Sequence, residues 1–98
     1  MTIKILDIAR QELEESIWFY ELEQSGLGQR FKAETRQAIK RIQQYPYACP
    51  IERGSIRKCL VHKFPYTIFY SIEQDIIVVL AIAHQHRKPD YWIERYSE

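Results

Sequence analysis

The chain's hydrophobic period changes from helical to extended at Tyr45-Pro46, and that switch constrains the fold more than any other feature. Upstream, apolar residues recur at helical spacing; downstream, β-branched and aromatic residues crowd into short extended runs. The first helical stripe is Ala9, Leu13, Ser16, Ile17 and Tyr20, with Glu12, Glu14, Glu15, Glu21 and Glu23 mostly off it. Asp7 is placed to cap this helix by accepting a backbone N–H at its start. Ser25-Gly26-Leu27-Gly28 ends it, because glycine takes the left-handed conformation that terminates helices. A second stripe, Leu27, Phe31, Thr35, Ala38, Ile39 and Ile42, predicts a helix from about Leu27 to Gln44. Tyr45-Pro46 stops it, since a residue before proline disfavours helical geometry. So short a break forces the two helices into an antiparallel hairpin.

Ahead of the hairpin, residues 2–7 read as a strand with Ile3 and Ile5 on one face. Behind it, residues 46–54 contain Pro46, Pro50 and Gly54 and read as a loop. Strands are predicted at Ile56–Phe64, Tyr66–Ile72 and Ile76–His84, separated by Pro65 and by Glu73-Gln74-Asp75. Such short connections favour antiparallel pairing. Pro89 ends the last strand, and Asp90 to Tyr96 reads as a terminal helical turn. The expected architecture is α+β: an N-terminal strand, an antiparallel helical hairpin packed on an antiparallel β-sheet, and a short C-terminal helix.

At 98 residues, positions 1–98 form one domain. A composition of 46% hydrophobic and 28% charged residues, with three Gly and four Pro, excludes a disordered tail or a low-complexity linker. The longest apolar run, Ile76 to Ala83, has eight residues, against the ~20 that span a bilayer. With no basic start leading into an apolar stretch, the expectation is a soluble, cytoplasmic chain without a membrane partner. Cys49 and Cys59 are too few and too far apart for a zinc motif or a redox C-x-x-C pair. Their spacing leaves a disulfide open, but in a cytosolic chain two reduced thiols acting as small apolar residues is the better reading.

Net charge is +1, yet residues 1–52 carry seven Lys/Arg against eight Asp/Glu, whereas residues 53–96 carry seven against four and all three histidines. A polyanion or acidic partner is therefore expected to meet the second half. On the 56–64 strand, Arg57, Cys59, Val61 and Lys63 share one face, and Ile56, Lys58, Leu60, His62 and Phe64 the other. Arg57 and Lys63 are expected to look outward and Leu60 inward, towards the helices.

His62, His84 and His86 do not specify a metal site, because three imidazoles must converge and strand-end histidines are ordinarily solvated or hydrogen-bonded. No metal or cofactor is expected. The serines sit in no nucleophile-elbow pattern, and Gly26-x-Gly28 follows a helix and lacks the Lys and third glycine of a phosphate loop. Trp18, Phe19 and Tyr20 read as core and partner-contact residues. Arg57, Lys58, Lys63, Arg87, Lys88 and Arg95, with Tyr66, Tyr70, Tyr91 and Trp92, have the composition of an RNA-binding surface. They also have the composition of a solvated rim around a sheet. Acid–base work by His84 or His86 in RNA cleavage is chemically open.

Three segments carry a family resemblance. They are Glu12-Leu13, Trp18-Phe19-Tyr20 and Gly26-Leu27-Gly28-Gln29-Arg30-Phe31 in the hairpin; Ile56-Arg57-Lys58-Cys59-Leu60 with Lys63-Phe64-Pro65-Tyr66-Thr67-Ile68-Phe69-Tyr70; and Ile77 through Pro89, closing with Tyr91-Trp92. The chain resembles the ParE/RelE superfamily of type II toxin–antitoxin toxins, most closely its ParE-like (plasmid stabilisation) branch. The resemblance implies growth inhibition relieved by a cognate antitoxin, with DNA gyrase as the target of ParE-like members. RelE-like members instead cleave mRNA on the ribosome. On that alternative, a ribosome-dependent endoribonuclease, the candidates are Arg57, Lys63, His84, His86 and Arg87, with Tyr91 a further counterpart. The tail through Pro89, Tyr91 and Trp92 departs from the RelE pattern, and the near-neutral charge is low for a ribosome binder. Both favour the non-nucleolytic reading; an inactive or purely structural relative is the third. The resemblance places antitoxin or target contacts at Trp18, Arg57, Lys63, Tyr70, Arg87, Lys88, Tyr91 and Trp92.

Overall fold

Tyr45-Pro46 does end the second helix, and the change of period becomes a change of layer. The computed structural model describes residues 1–96, so the last two positions of the 1–98 domain lie outside the described residues. In chain order the elements are β1 (Thr2–Ile5), α1 (Asp7–Glu23), α2 (Leu27–Gln44), β2 (Ile51–Arg53), β3 (Ile56–Leu60), β4 (Tyr66–Glu73), β5 (Ile76–His84) and a 3-10 turn (Ile93–Arg95). The expected C-terminal helix is thus a single 3-10 turn.

The helices pack as the predicted hairpin, for local reasons that are specific. Gly26 adopts φ +88°, where a side chain would be strained. Gly28 lies so close to α1 that an added Cβ would stand 2.4 Å from the Ile17 carbonyl oxygen. The Gly26 and Gly28 N–H groups donate to the two carboxylate oxygens of Glu21, at 2.9 and 3.0 Å. A carboxylate from α1 therefore caps α2, which also suits the helix dipole. Asp7 does not cap α1, which starts at that residue with no side-chain cap. Leu6 is held extended by donating its N–H to the Val79 carbonyl, so the helix begins directly behind it.

The sheet order is β1-β5-β4-β3-β2. The pairs β2/β3, β3/β4 and β4/β5 are antiparallel, but β1 runs parallel to β5, making the sheet mixed. The helical hairpin carries the chain from β1 at one edge to β2 at the other, so β5 meets β1 only after the antiparallel strands are laid down. β2 lies inside the segment expected to be loop; its three residues are all exposed, so it carries no hydrophobic alternation to read.

Leu60 does not face the helices. It is 59% exposed, whereas Cys59 and Val61, the set expected to be outward, are buried beneath the hairpin. Both sheet faces are partly covered, which the sequence argument did not allow for. On the helix side, Phe31, Tyr66, Ile68, Tyr70, Ile77, Val79 and Ile82 form the larger core, with Tyr20 and Phe64 packed against it. On the outer side Ile56, Leu80, Ala81 and Trp92 form a second cluster, with the Trp92 ring stacked on Phe69 at 4.6 Å. Ile56 is buried by that cluster, not by the helices. β3 also stops at Leu60, and Lys63 sits in the following turn at φ 70°, off the expected strand.

Candidate binding surface

Leu80 is an extra residue in β5: Phe69 pairs with Ala81 and Tyr70 with Val79, leaving Leu80 unopposed. This bulge re-aims the strand just where β1 ends, and the edge of β5 beyond it needs other partners. Glu12 and Arg95 supply them. The Ile82 N–H donates to Glu12 Oε1 at 3.1 Å, and Arg95 Nη1 donates to the Leu80 carbonyl at 3.2 Å. Arg95 also grips the Glu12 carboxylate at two points, 2.9 and 3.2 Å, and the Tyr91 hydroxyl donates to Glu12 Oε2. The two charged side chains are only 13% and 15% exposed. A buried ion pair persists where further hydrogen bonds support it, and here Ile82 and Tyr91 donate to Glu12 while Arg95 donates to Leu80. Burial, then the Glu12 contact, raises the Tyr91 pKa above the ordinary phenol value.

This anchor lays the tail across the sheet and creates a cleft of about 320 Å³ on the outer face. Thr67, Phe69 and Ala83 form its floor; Lys58 and Leu60 of β3 stand on one side, and Arg87, Lys88 and Tyr91 on the other. A second cleft of about 310 Å³ lies on the helix side, lined by Glu12, Glu15, Ser16, Phe19, Tyr66 and Ile82. His84 and Arg87 line both and form the ridge between them. The His84 ring meets Tyr66 edge-on at 5.2 Å, and its Nδ1 accepts the His86 N–H at 3.0 Å. A neutral His84 therefore carries its proton on Nε2.

The expected site residues do not gather in one place. Arg57 lies on the helix-facing side of β3, donating to the Tyr47 and Cys49 carbonyls at 3.1 and 2.7 Å. Lys63 projects from its turn beside Glu34 of α2, at 4.0 Å. His84 and Arg87 share the ridge, with His86 in the turn that follows and its ring 5.0 Å from that of His84. The Arg87 guanidinium stacks on Tyr91 at 3.9 Å. Among the described residues Arg87 and Lys88 form no ion pair, whereas Lys58 pairs with Glu52 at 3.0 Å and Arg53 with Asp90 at 2.7 Å. Tyr70 and Trp92 are core residues at 0% and 1% exposure, so neither presents a contact surface; Tyr70 donates its hydroxyl to the Pro46 carbonyl at 2.8 Å.

Trp18 is 64% exposed and stands one helical turn from Leu22, with Phe19 beside them, forming an apolar ridge on α1. Leu22 and Leu60 escaped the sequence reading because an apolar residue on a helix or strand is ordinarily assigned inward. Glu12 entered only as part of the Glu12-Leu13 segment of the resemblance, with no role drawn for it, because one glutamate among many in α1 has no distinguishing spacing.

The family model for the ParE toxin of type II toxin–antitoxin systems, parDE, matches residues 3–89. The match takes in both α-helices and, Thr2 apart, all five strands, and ends before the tail that carries Tyr91, Trp92 and Arg95. No curated protein matches the chain. A solved structure titled "Chromosomal ParDE TA system from P. aeruginosa" superposes with a TM-score of 0.62 at 16% identity, covering 86% of this chain and 95% of that one. At that identity the likeness speaks for the fold, and it agrees with two helices on a five-stranded mixed sheet. With the family model spanning nearly all of its ordered elements, the chain belongs to the ParE toxin family of type II toxin–antitoxin systems.

Proposed function

We propose that this ParE-type toxin arrests growth by binding DNA gyrase and cleaves no RNA, and that a cognate antitoxin silences it. The observation that carries the non-nucleolytic reading is the dispersal of the cleavage candidates; gyrase as the target is what the ParE likeness implies. Cleaving RNA at its 2′-hydroxyl requires a base, an acid and phosphate-neutralising cations within reach of one phosphate. Here Arg57 is held by loop carbonyls and Lys63 lies beside Glu34, and neither lines the two clefts that His84 and Arg87 separate. Tyr91, a further counterpart, donates its hydroxyl to Glu12.

A binding role makes use of what remains. The outer cleft offers an apolar floor at Phe69, with Leu60 beside it, flanked by Arg87 and Lys88, which suits a segment with apolar anchors and acidic flanks. The Trp18–Phe19–Leu22 ridge supplies aromatic and aliphatic anchors of the kind that dominate binding energy. The antitoxin's acidic segment thus meets Arg87 and Lys88, with Arg57 and Lys63 outside that contact.

The test is a supercoiling assay with purified toxin beside primer extension on message from induced cells. Inhibited gyrase and intact message are expected, and the antitoxin restores supercoiling. Codon-positioned cuts with unaffected gyrase would establish the nuclease instead. Neither effect, with no growth defect on induction, would identify an inactive relative.

A further inference from the structure

Cys49 and Cys59 are both free thiols, ten positions apart and on opposite arms of the hairpin that contains β2. Ile51 pairs with Arg57, and the Lys58 N–H donates to the Pro50 carbonyl at 3.1 Å. These two contacts share one antiparallel register, whose continuation leads to Cys49, a bend residue just ahead of β2, and the Cys59 thiol lies against that of Cys49. Pro50/Lys58 is the hydrogen-bonded pair, and the following, non-hydrogen-bonded step of an antiparallel ladder brings facing Cα atoms to about 4.5 Å. Disulfides span Cα separations of about 4.4–6.8 Å, a range that such a ladder step falls within. Both side chains point to the helix side: Cys59 is buried in the main core, and Cys49 packs against it.

The pair is also reachable. A cleft of about 420 Å³ beside it is lined by Arg41, Tyr45, Cys49, Cys59 and Leu60. Tyr45 and Leu60 are 66% and 59% exposed, so the mouth is open to solvent. Arg41 places a cation at that mouth, complementary to the carboxylates of a peptide thiol such as glutathione.

We propose that Cys49 and Cys59 are a disulfide-forming site, closed reversibly by exchange with a low-molecular-weight disulfide of the glutathione type and fastening residues 46–50 to β3. The Cys49 thiolate attacks one sulfur of the oxidised glutathione, forming a mixed disulfide and expelling one glutathione thiolate. The Cys59 thiolate then attacks the Cys49 sulfur and expels the second. Two protein thiols are oxidised, one disulfide is reduced to two thiols, and the protons released by the cysteines are taken up by the leaving thiolates. Burial and the adjacent thiol push Cys59 up to about 11, which makes the half-exposed Cys49 the entry point and Cys59 the resolving thiol. In a reducing compartment such a pair stays open until the thiol pool is oxidised. The site owes nothing to the identity of the toxin's target.

The full chain is incubated with oxidised glutathione and followed by intact mass and peptide mapping. The expected product has lost two hydrogens and yields a Cys49–Cys59 cross-linked peptide; dithiothreitol reverses it. Cys59→Ser should stop at the glutathione adduct on Cys49. In the closed form, exchange of the Lys58 amide, whose partner is Pro50, should slow by about tenfold or more, as expected when a local opening is blocked. A wild-type chain that halts at the adduct, forms covalent dimers or remains fully reduced would overturn the proposal.

Discussion

The C-terminal tail and the 46–50 loop face the same physical problem, since both are irregular segments laid against the sheet whose polar groups need partners. They solve it differently. The tail is fixed by a buried two-point ion pair between Arg95 and Glu12, which also serves the β5 edge, and by Trp92 stacked on Phe69. The loop is fixed by donors reaching its carbonyls: Arg57 to Tyr47 and Cys49, and Tyr70 to Pro46. Losing half of a buried ion pair strands a charge in a dry place, whereas losing a donor to an exposed or part-buried loop carbonyl leaves a neutral group unpaired. The tail should therefore be the more fragile of the two, although both anchors hold irregular backbone.

The largest effect is expected at the tail. Glu12→Ala leaves Arg95 unpaired and frees Tyr91, and should cost about 3–5 kcal/mol in urea unfolding. A loss below about 1 kcal/mol would break the distinction between the regions. Arg57→Ala removes charge-assisted bonds to two loop carbonyls and should cost about 1.5–3 kcal/mol. Tyr70→Phe deletes one neutral bond to Pro46 while keeping the buried ring, and should cost about 1 kcal/mol. Leu60→Ser, on the open side of the outer cleft, should change stability by no more than about 0.5 kcal/mol while weakening antitoxin binding. Equal losses of stability and binding would place Leu60 in the core instead.

Alkali perturbs both regions without mutation. Burial raises Cys59 from 9.0 to about 11, and raises Tyr70 and Tyr91 above their ordinary 10.0. The unfolded chain releases these protons first, so stability is complete below pH 9 and falls between pH 9 and 11 as Cys59 titrates. The two tyrosines extend the decline above pH 10. Tyr91→Phe should flatten the tail's share of that slope and Tyr70→Phe the loop's, as read from urea midpoints across the range. An unchanged slope in both variants would remove the tyrosines from the account.

The hairpin was legible because its determinants are local. Period-3.6 stripes, the left-handed Gly26 and the stop at Tyr45-Pro46 each act within a few residues. The three long strands and their order in the chain were legible for the same reason, through period-2 runs broken by Pro65 and Glu73-Gln74-Asp75. β2 was not, because an exposed three-residue edge strand gains its hydrogen bonds from β3 and not from a pattern of its own.

The sequence by itself determined the α+β class, the hairpin, the antiparallel strands and the family likeness. Only the tertiary structure decided which face of β3 is covered, that β1 joins β5 in parallel, and that the Glu12–Arg95 pair organises the site. Alternation along a strand tells which residues share a face but not what lies over it. Here Trp92, more than thirty residues away in the chain, covers Ile56 while Leu60 remains open. Contacts between residues so distant are set by how the layers close, and no local spacing records them.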